Sequence, residues 1–165
     1  YTGAPIDDAA LTQIIQAGLL SASSRSIRPW EFIVVKDKDM LRHLSECRTG
    51  AARMLAGADA AIVIIANAEA SDVWIEDCSI AMANMHLMAD SLGVGSCWIQ
   101  GRLRTATTAD SGTASVTTED YVRECLDFPE GYKLEAILSL GMPAEEKTPA
   151  ELSKLPFEKI HYEKF

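Results

Sequence analysis

The chain has 165 residues, enough for one domain with a buried core and no need of disulfide staples. Its 48% hydrophobic and 24% charged residues exclude a disordered chain. A net charge of -9 repels nucleic acid and anionic membrane, so neither is expected as a partner, and the longest apolar run, 60–66, is too short to span a bilayer.

The chain begins at Tyr1 with no initiator Met, no basic region and no apolar leader. No signal peptide is expected and a cytoplasmic location is; either the front has lost a few residues or the chain is as it stands. Asp7 or Asp8 caps a first helix whose apolar positions are Leu11, Ile14, Ile15, Leu19 and Leu20. Residues 21–29 (SASSRSIRP) form a polar loop closed by Pro29. WEFIVV at 30–35 reads as a buried strand. A helix is expected over 38–47, broken by Arg48, Thr49 and Gly50, with a short helical piece at 51–55. AAIVII at 60–65 is apolar on both faces, the pattern of a central strand covered by helices.

A long helix follows over 76–92. Cys78, Met82, Met85, Ala89 and Leu92 make one stripe, and Ile80, Ala83 and Leu87 line another side. A helix apolar nearly all round is buried in its own domain or against a second subunit. Gly93 ends it, and GSCWIQ at 95–100 is a third strand. The polar, small-residue stretch 103–118 is expected to be a mobile loop or lid. A short helix at 120–125 and a fourth strand at 134–140 come next, stopped by Gly141, Met142 and Pro143. The tail, 149–165, holds Pro149 and Pro156 and reads as an extended arm. Helices and strands alternate irregularly, which predicts α+β (or α/β) architecture with a mixed, helix-covered sheet in a single domain, 1–165.

The common catalytic constellations are missing. No Gly-x-Ser-x-Gly elbow surrounds Ser23 or Ser24, and Gly93 and Gly95 lack a dinucleotide or P-loop spacing. Cys47, Cys78, Cys97 and Cys125 and the histidines at 43, 86 and 161 are scattered, so no metal site is expected and the thiols are expected to be reduced. Glu76 and Asp77 read as carboxylates stabilised by a helix start, and His86 as a satisfied core or interface residue. An enzyme made from this chain needs a cofactor for its chemistry. The loop before the first strand is richer: Ser23, Ser24 and Ser26 with Arg25 and Arg28 make either an anion site or a solvated turn.

Four stretches together resemble the nitroreductase-like flavoproteins. SASSRSIRPWEFIVV is similar to that family's Pro-Ser-Ser-x-Asn-x-Gln-Pro-Trp loop and strand. The buried helix running into LGVGSCWIQG resembles its central helix and Gly-x-Gly-Ser-Cys-Trp strand. LDFPEGYKLEAILSLGMPAE is similar to its Leu-x-x-Pro-x-Gly-Tyr strand, and SKLPFEKIHYEKF to its C-terminal arm. The resemblance covers nearly the whole chain, with 103–118 the least matched part. It implies a mostly antiparallel sheet, FMN held non-covalently, and a homodimer with exchanged C-terminal arms. NADH or NADPH is the implied electron donor, and a nitroaromatic, quinone or similar small electrophile the acceptor, in ping-pong hydride exchange.

By the same pattern, Ser23, Ser24 and Arg25 touch the flavin, with Ser26 and Arg28 beside them. Gln100 and Gly101 fall where the third strand's backbone meets the ring, Gly141 where the fourth strand's end passes the cofactor, and Lys154 where a basic residue pairs with the phosphate. No catalytic side chain is implied. The family's phosphate-binding Arg-Arg-Ser-x-Arg run would precede Tyr1 and is absent from this chain, and Ala22, Ser26 and Arg28 replace the family's Pro, Asn and Gln. The rival readings are a flavin carrier or sensor without turnover and a specialised relative, a dehalogenase or flavin-consuming enzyme. The Thr, Ala, Ser and Gly of 103–118 offer no dedicated lid residues for the latter.

Overall fold

The computed structural model describes residues 1–106 and 115–165. Helix α1 (Asp8–Leu19) leads through the polar loop to β1 (Trp30–Val35), then α2 (Lys38–Leu44), β2 (Ala60–Asn67), α3 (Trp74–Ser91), β3 (Gly95–Gln100), α4 (Thr118–Leu126) and β4 (Tyr132–Gly141). The strands form one sheet in the order β1-β2-β4-β3, with every pairing antiparallel among the described residues. That satisfies the expectation of a mostly antiparallel, helix-covered sheet of α+β type.

The two faces of the sheet carry separate cores. Ile62, Ile64, Ala136 and Leu138 pack under α1 and α3 with Leu11, Ile14, Met82 and Met85. Val63, Ile65, Leu134 and Ile137 pack under α2 and α4 with Leu41, Leu44 and Val122. The alternation of side chains across β2 and β4 feeds both layers, which is why these two central strands are apolar on both faces.

Several local expectations shift. β1 is an edge strand: Trp30 and Val35 are buried, but Val34 is exposed. α2 stops at Leu44 rather than at 47, and turns carry the chain to the buried Cys47. The helical piece after Gly50 is a 3-10 turn over Arg53–Gly57. α4 begins earlier, because the Thr117 hydroxyl caps it by accepting the Asp120 N–H at 3.0 Å. Asp7 is the N-cap of α1 but makes no side-chain cap bond. Leu19 and Leu20 do not join the core; Leu20 is 84% exposed.

On α3 the Cys78, Met82, Met85, Ala89 stripe is buried as expected. The second side is not, since Ile80 and Leu87 face outward and Leu87 is 69% exposed. His86 is exposed on the same helix and bonds the Ser96 hydroxyl.

The expected lid at 103–118 falls partly on 107–114, which lie outside the described residues. Its flanks form a short antiparallel stem, with Thr105 bridged to Thr117 and Ala106 N–H donating to Val116 O at 3.0 Å. The C-terminal arm is exposed throughout, and its structure is two 3-10 turns, Leu152–Lys154 and Phe157–Lys159. No helix among the described residues is long and apolar enough to cross a membrane.

Candidate functional site

The loop before β1 folds under strain. Arg25, Ser26 and Arg28 hold φ values of 51°, 57° and 52°, a left-handed conformation that non-glycine residues adopt only when their surroundings enforce it. Side-chain contacts from Asp77, Ser23 and Asp72 enforce it. Asp77, on the first turn of α3 and only 2% exposed, accepts the Ser24 N–H at 2.7 Å and the Ser71 hydroxyl at 3.2 Å. Ser23 Oγ accepts the Arg28 N–H at 2.9 Å, and Arg25 pairs with Asp72 at 2.7 Å.

What this leaves free is a set of donors. Among the described residues the Ser24 and Ser26 hydroxyls have no side-chain hydrogen bond and the Arg28 guanidinium has no ion pair. Arg28, Arg25 and Ser26 are exposed; Ser23 and Ser24 are half-buried. Hydroxyls and guanidinium together suit a ligand that is acceptor-rich and anionic.

Gln100 and Gly101 lie at the same end of the sheet as this loop, because β1 starts there and β3 ends there. Trp30 pairs with Ala66, and Gln100 with Ala136. The strands leading to the two groups are three spacings apart, about 14 Å. Gly101 donates its N–H to Glu135 O at 3.1 Å. A Cβ on Gly101 would lie 2.5 Å from Cδ2 of the buried Leu134, so a larger residue there forces Leu134 to shift and glycine lets the strand end pack closely against it.

The other two assigned positions lie elsewhere in the protomer. Gly141 ends β4 opposite Gly95, five residues beyond Ala136 and so about 17 Å along the sheet. The Tyr1 ring covers it closely, a Cβ there meeting ring carbon at 2.5 Å, and the Tyr1 hydroxyl bonds Ser139. Lys154 stands on the exposed arm, paired with Glu151 at 2.9 Å. One protomer therefore brings Ser23, Ser24, Arg25, Ser26 and Arg28 together, with Gln100 and Gly101 at the same sheet end, but does not gather Gly141 and Lys154 with them.

Sequence reasoning missed two residues here. Asp77 reads as an ordinary helix-start carboxylate until the fold places the serine loop on it. Glu135 reads as one charge in an apolar strand, yet it is only 3% exposed beside Gln100. An acidic residue inside YKLEAILSLG was the available signal for the second.

The buried thiols are poor catalysts. Burial pushes the Cys47 and Cys78 thiols up to about 12, so neither is a thiolate nucleophile. No cluster of three or more His, Cys, Asp or Glu suited to a metal occurs among the described residues.

Residues 40–142 match the sequence model of the Nitroreductase family. An Archaeoglobus fulgidus protein, provisionally named NADH dehydrogenase/NAD(P)H nitroreductase, is 35% identical over an alignment covering 100% of this chain and 91% of its own. The solved structure of an FMN-dependent nitroreductase from Clostridium difficile has a TM-score of 0.91 at 44% identity, covering 100% of this chain and 92% of that one. The NADPH:FMN oxidoreductase of Vibrio harveyi, at 23% identity and a TM-score of 0.77, shares the fold over 100% of this chain and 72% of its own.

Proposed function

The chain belongs to the nitroreductase family, and on that premise we propose that it is an FMN-dependent NAD(P)H oxidoreductase reducing small electrophiles such as nitroaromatics or quinones. The observation that carries this reading is the strained serine loop, pinned by a buried carboxylate and left with unspent hydroxyl and guanidinium donors. FMN, when bound, supplies the electron chemistry, accepting hydride from NADH or NADPH and passing it to the acceptor in a ping-pong exchange.

The protein's own part is to bind and orient. Ser23, Ser24, Arg25, Ser26 and Arg28 offer hydrogen bonds and positive charge to the cofactor. Gln100 and Gly101 offer the backbone at the end of β3 to its ring, Gly141 passes beside it, and Lys154 pairs with its phosphate. No side chain is assigned a proton-transfer or nucleophilic role. A homodimer accounts for the separation of these groups in one protomer: the serine loop of one subunit and the strands of the other hold each flavin jointly. The open groove between α1 and α3, lined by Ala17, Leu20, Asn84, Leu87, Met88 and Ser91, supports that assembly. So do Phe157, Ile160 and Tyr162 of the arm, which stay largely exposed in their own protomer. The domain is taken as 1–165 and the protein as cytoplasmic.

The purified protein is expected to be yellow, to release FMN on denaturation, and to bleach anaerobically when NADH or NADPH is added. A colourless protein that takes up no added FMN overturns the reading. Bound flavin that neither nucleotide reduces favours a carrier or sensor instead.

Lys154→Ala tests the phosphate assignment. One charge-assisted bond is worth about 1.5–3 kcal/mol, so FMN affinity should fall roughly ten- to a hundredfold. Lys147→Ala, at an exposed lysine outside the described ion pairs, should leave it unchanged. Equal affinities in the two variants, read by flavin titration, remove Lys154 from the site and turn attention to Arg25 and Arg28.

A further inference from the structure

Glu135 occupies an irregularity in β4. Ile64 pairs with Ala136 and Ile65 with Leu134, so Glu135 is the extra residue of a bulge and has no partner on β2. A bulge re-aims a side chain. Here the carboxyl comes within electrostatic reach of Cys78 and Glu76 on α3 and of Arg102 after β3. Asp77, the other acidic residue of that helix turn, is taken up by Ser24 and Ser71. Although Glu135 is buried, its Oε2 has no hydrogen-bond partner among the described residues. A buried ionised carboxylate in that state is costly, so the proton is held more tightly than usual. Burial pushes its pKa up; the Gln100 amide and the Arg102 charge pull it back, and Glu76 pushes it up again.

The neighbour that matters is Gln100. The indole N–H of Trp98 can only donate, and it donates to Gln100 Oε1 at 2.9 Å. The amide is thereby turned so that Nε2 faces Glu135, where its contacts are long, 3.4 Å to Arg102 O and 3.4 Å to Glu135 O. The carbonyl of Glu135 also accepts the N–H groups of Gly101 at 3.1 Å and Arg102 at 2.9 Å. Glu135 thus grips the end of β3 through its main chain and confronts the Gln100 side chain with a carboxyl group.

We propose that Glu135 is a positioning residue of the flavin site: acting through the Gln100 amide, its buried carboxyl sets how the end of β3 is presented to the cofactor, and gain or loss of its proton retunes that end. This rests on the flavin reading above. The neutral carboxyl leaves Gln100 in its long contacts. The ionised one draws Nε2 into a short, charge-assisted bond and places a negative charge beside an electron-rich ligand. FMN should therefore bind more weakly as pH rises through the carboxyl's pKa, which lies above the ordinary glutamate value.

Glu135→Gln imitates the neutral form at every pH. FMN dissociation constants of wild type and E135Q, measured by fluorescence quenching, should agree at pH 5 and differ by about threefold or more at pH 8.5, wild type being weaker. The titration of the FMN phosphate is common to both proteins and cancels in the ratio. The midpoint potential of bound FMN should likewise match at pH 5 and be more negative in wild type at pH 8.5. If E135Q does not fold, Gln100→Leu makes the same comparison, because without the amide the carboxyl loses its hold on the strand end and the pH dependence should flatten. A ratio constant across pH overturns the role of Glu135 while leaving the flavin reading intact. A wild-type chain that takes up no FMN at any pH overturns both.

Discussion

Asp77→Ala is expected to destabilise the protein by about 3 kcal/mol, since it strands one buried and one half-buried donor, each worth about 1–3 kcal/mol when left unpaired. Those donors are the Ser24 N–H and the Ser71 hydroxyl. For a chain of this length the midpoint of thermal unfolding should fall by roughly 6–12 °C. The loss should not stop at stability. Arg25, Ser26 and Arg28 hold left-handed backbone conformations costing of order 1–3 kcal/mol each, and the bond from Asp77 is part of what enforces them. Released from it, the loop relaxes and its hydroxyls and guanidinium no longer converge, so FMN affinity should fall by more than the stability loss alone explains. Asp77→Asn keeps an oxygen for the Ser24 N–H and should show a smaller fall in both quantities. An Asp77→Ala protein that melts and titrates with FMN like wild type shows that the loop holds itself.

Deleting residues 150–165 is expected to abolish the dimer and FMN binding together. The arm is exposed along its whole length in one protomer, with Phe157, Ile160 and Tyr162 unburied. Its removal takes nothing from either core, so the truncated chain should still fold as a protomer. Stable interfaces of obligate dimers commonly exceed about 2,000 Å², and the exchanged arm supplies apolar area to one. Size-exclusion chromatography with absorbance at the flavin wavelengths separates the outcomes. A truncated protein that elutes as a yellow dimer refutes the exchanged arm; a yellow monomer shows that one subunit suffices to hold FMN.

The strands and loops bounded by local signals were legible without coordinates. β1 and β3 run over the expected residues, 30–35 and 95–100, because Pro29 and Lys36 fence the one and Gly93 and Gly101 the other. β2 was readable as central, since its unbroken apolar run from 60 to 66 fits a strand covered on both faces. The serine loop drew attention through composition alone, and four weak motifs in register pointed to the family.

What could not be read depends on partners distant in the chain. Whether β1 was a core or an edge strand turned on the order β1-β2-β4-β3, which no local pattern encodes. Leu19, Leu20 and Leu87 match their helices' apolar periodicity, yet no second layer of this protomer covers them, and periodicity records amphipathicity rather than the identity of the covering surface. Asp77 became the support of the serine loop only because α3 packs beside residues 53 positions earlier in sequence. Glu135 became a buried, unpartnered carboxyl only because β2 and β4 slip by one residue between Ile64 and Ile65. The sequence alone determined the elements, the family pattern and the donor-rich loop, because these rest on contacts between near neighbours. The tertiary structure alone decided which carboxylates hold the site and which apolar faces stay open, because burial and register are properties of surfaces that meet across the fold.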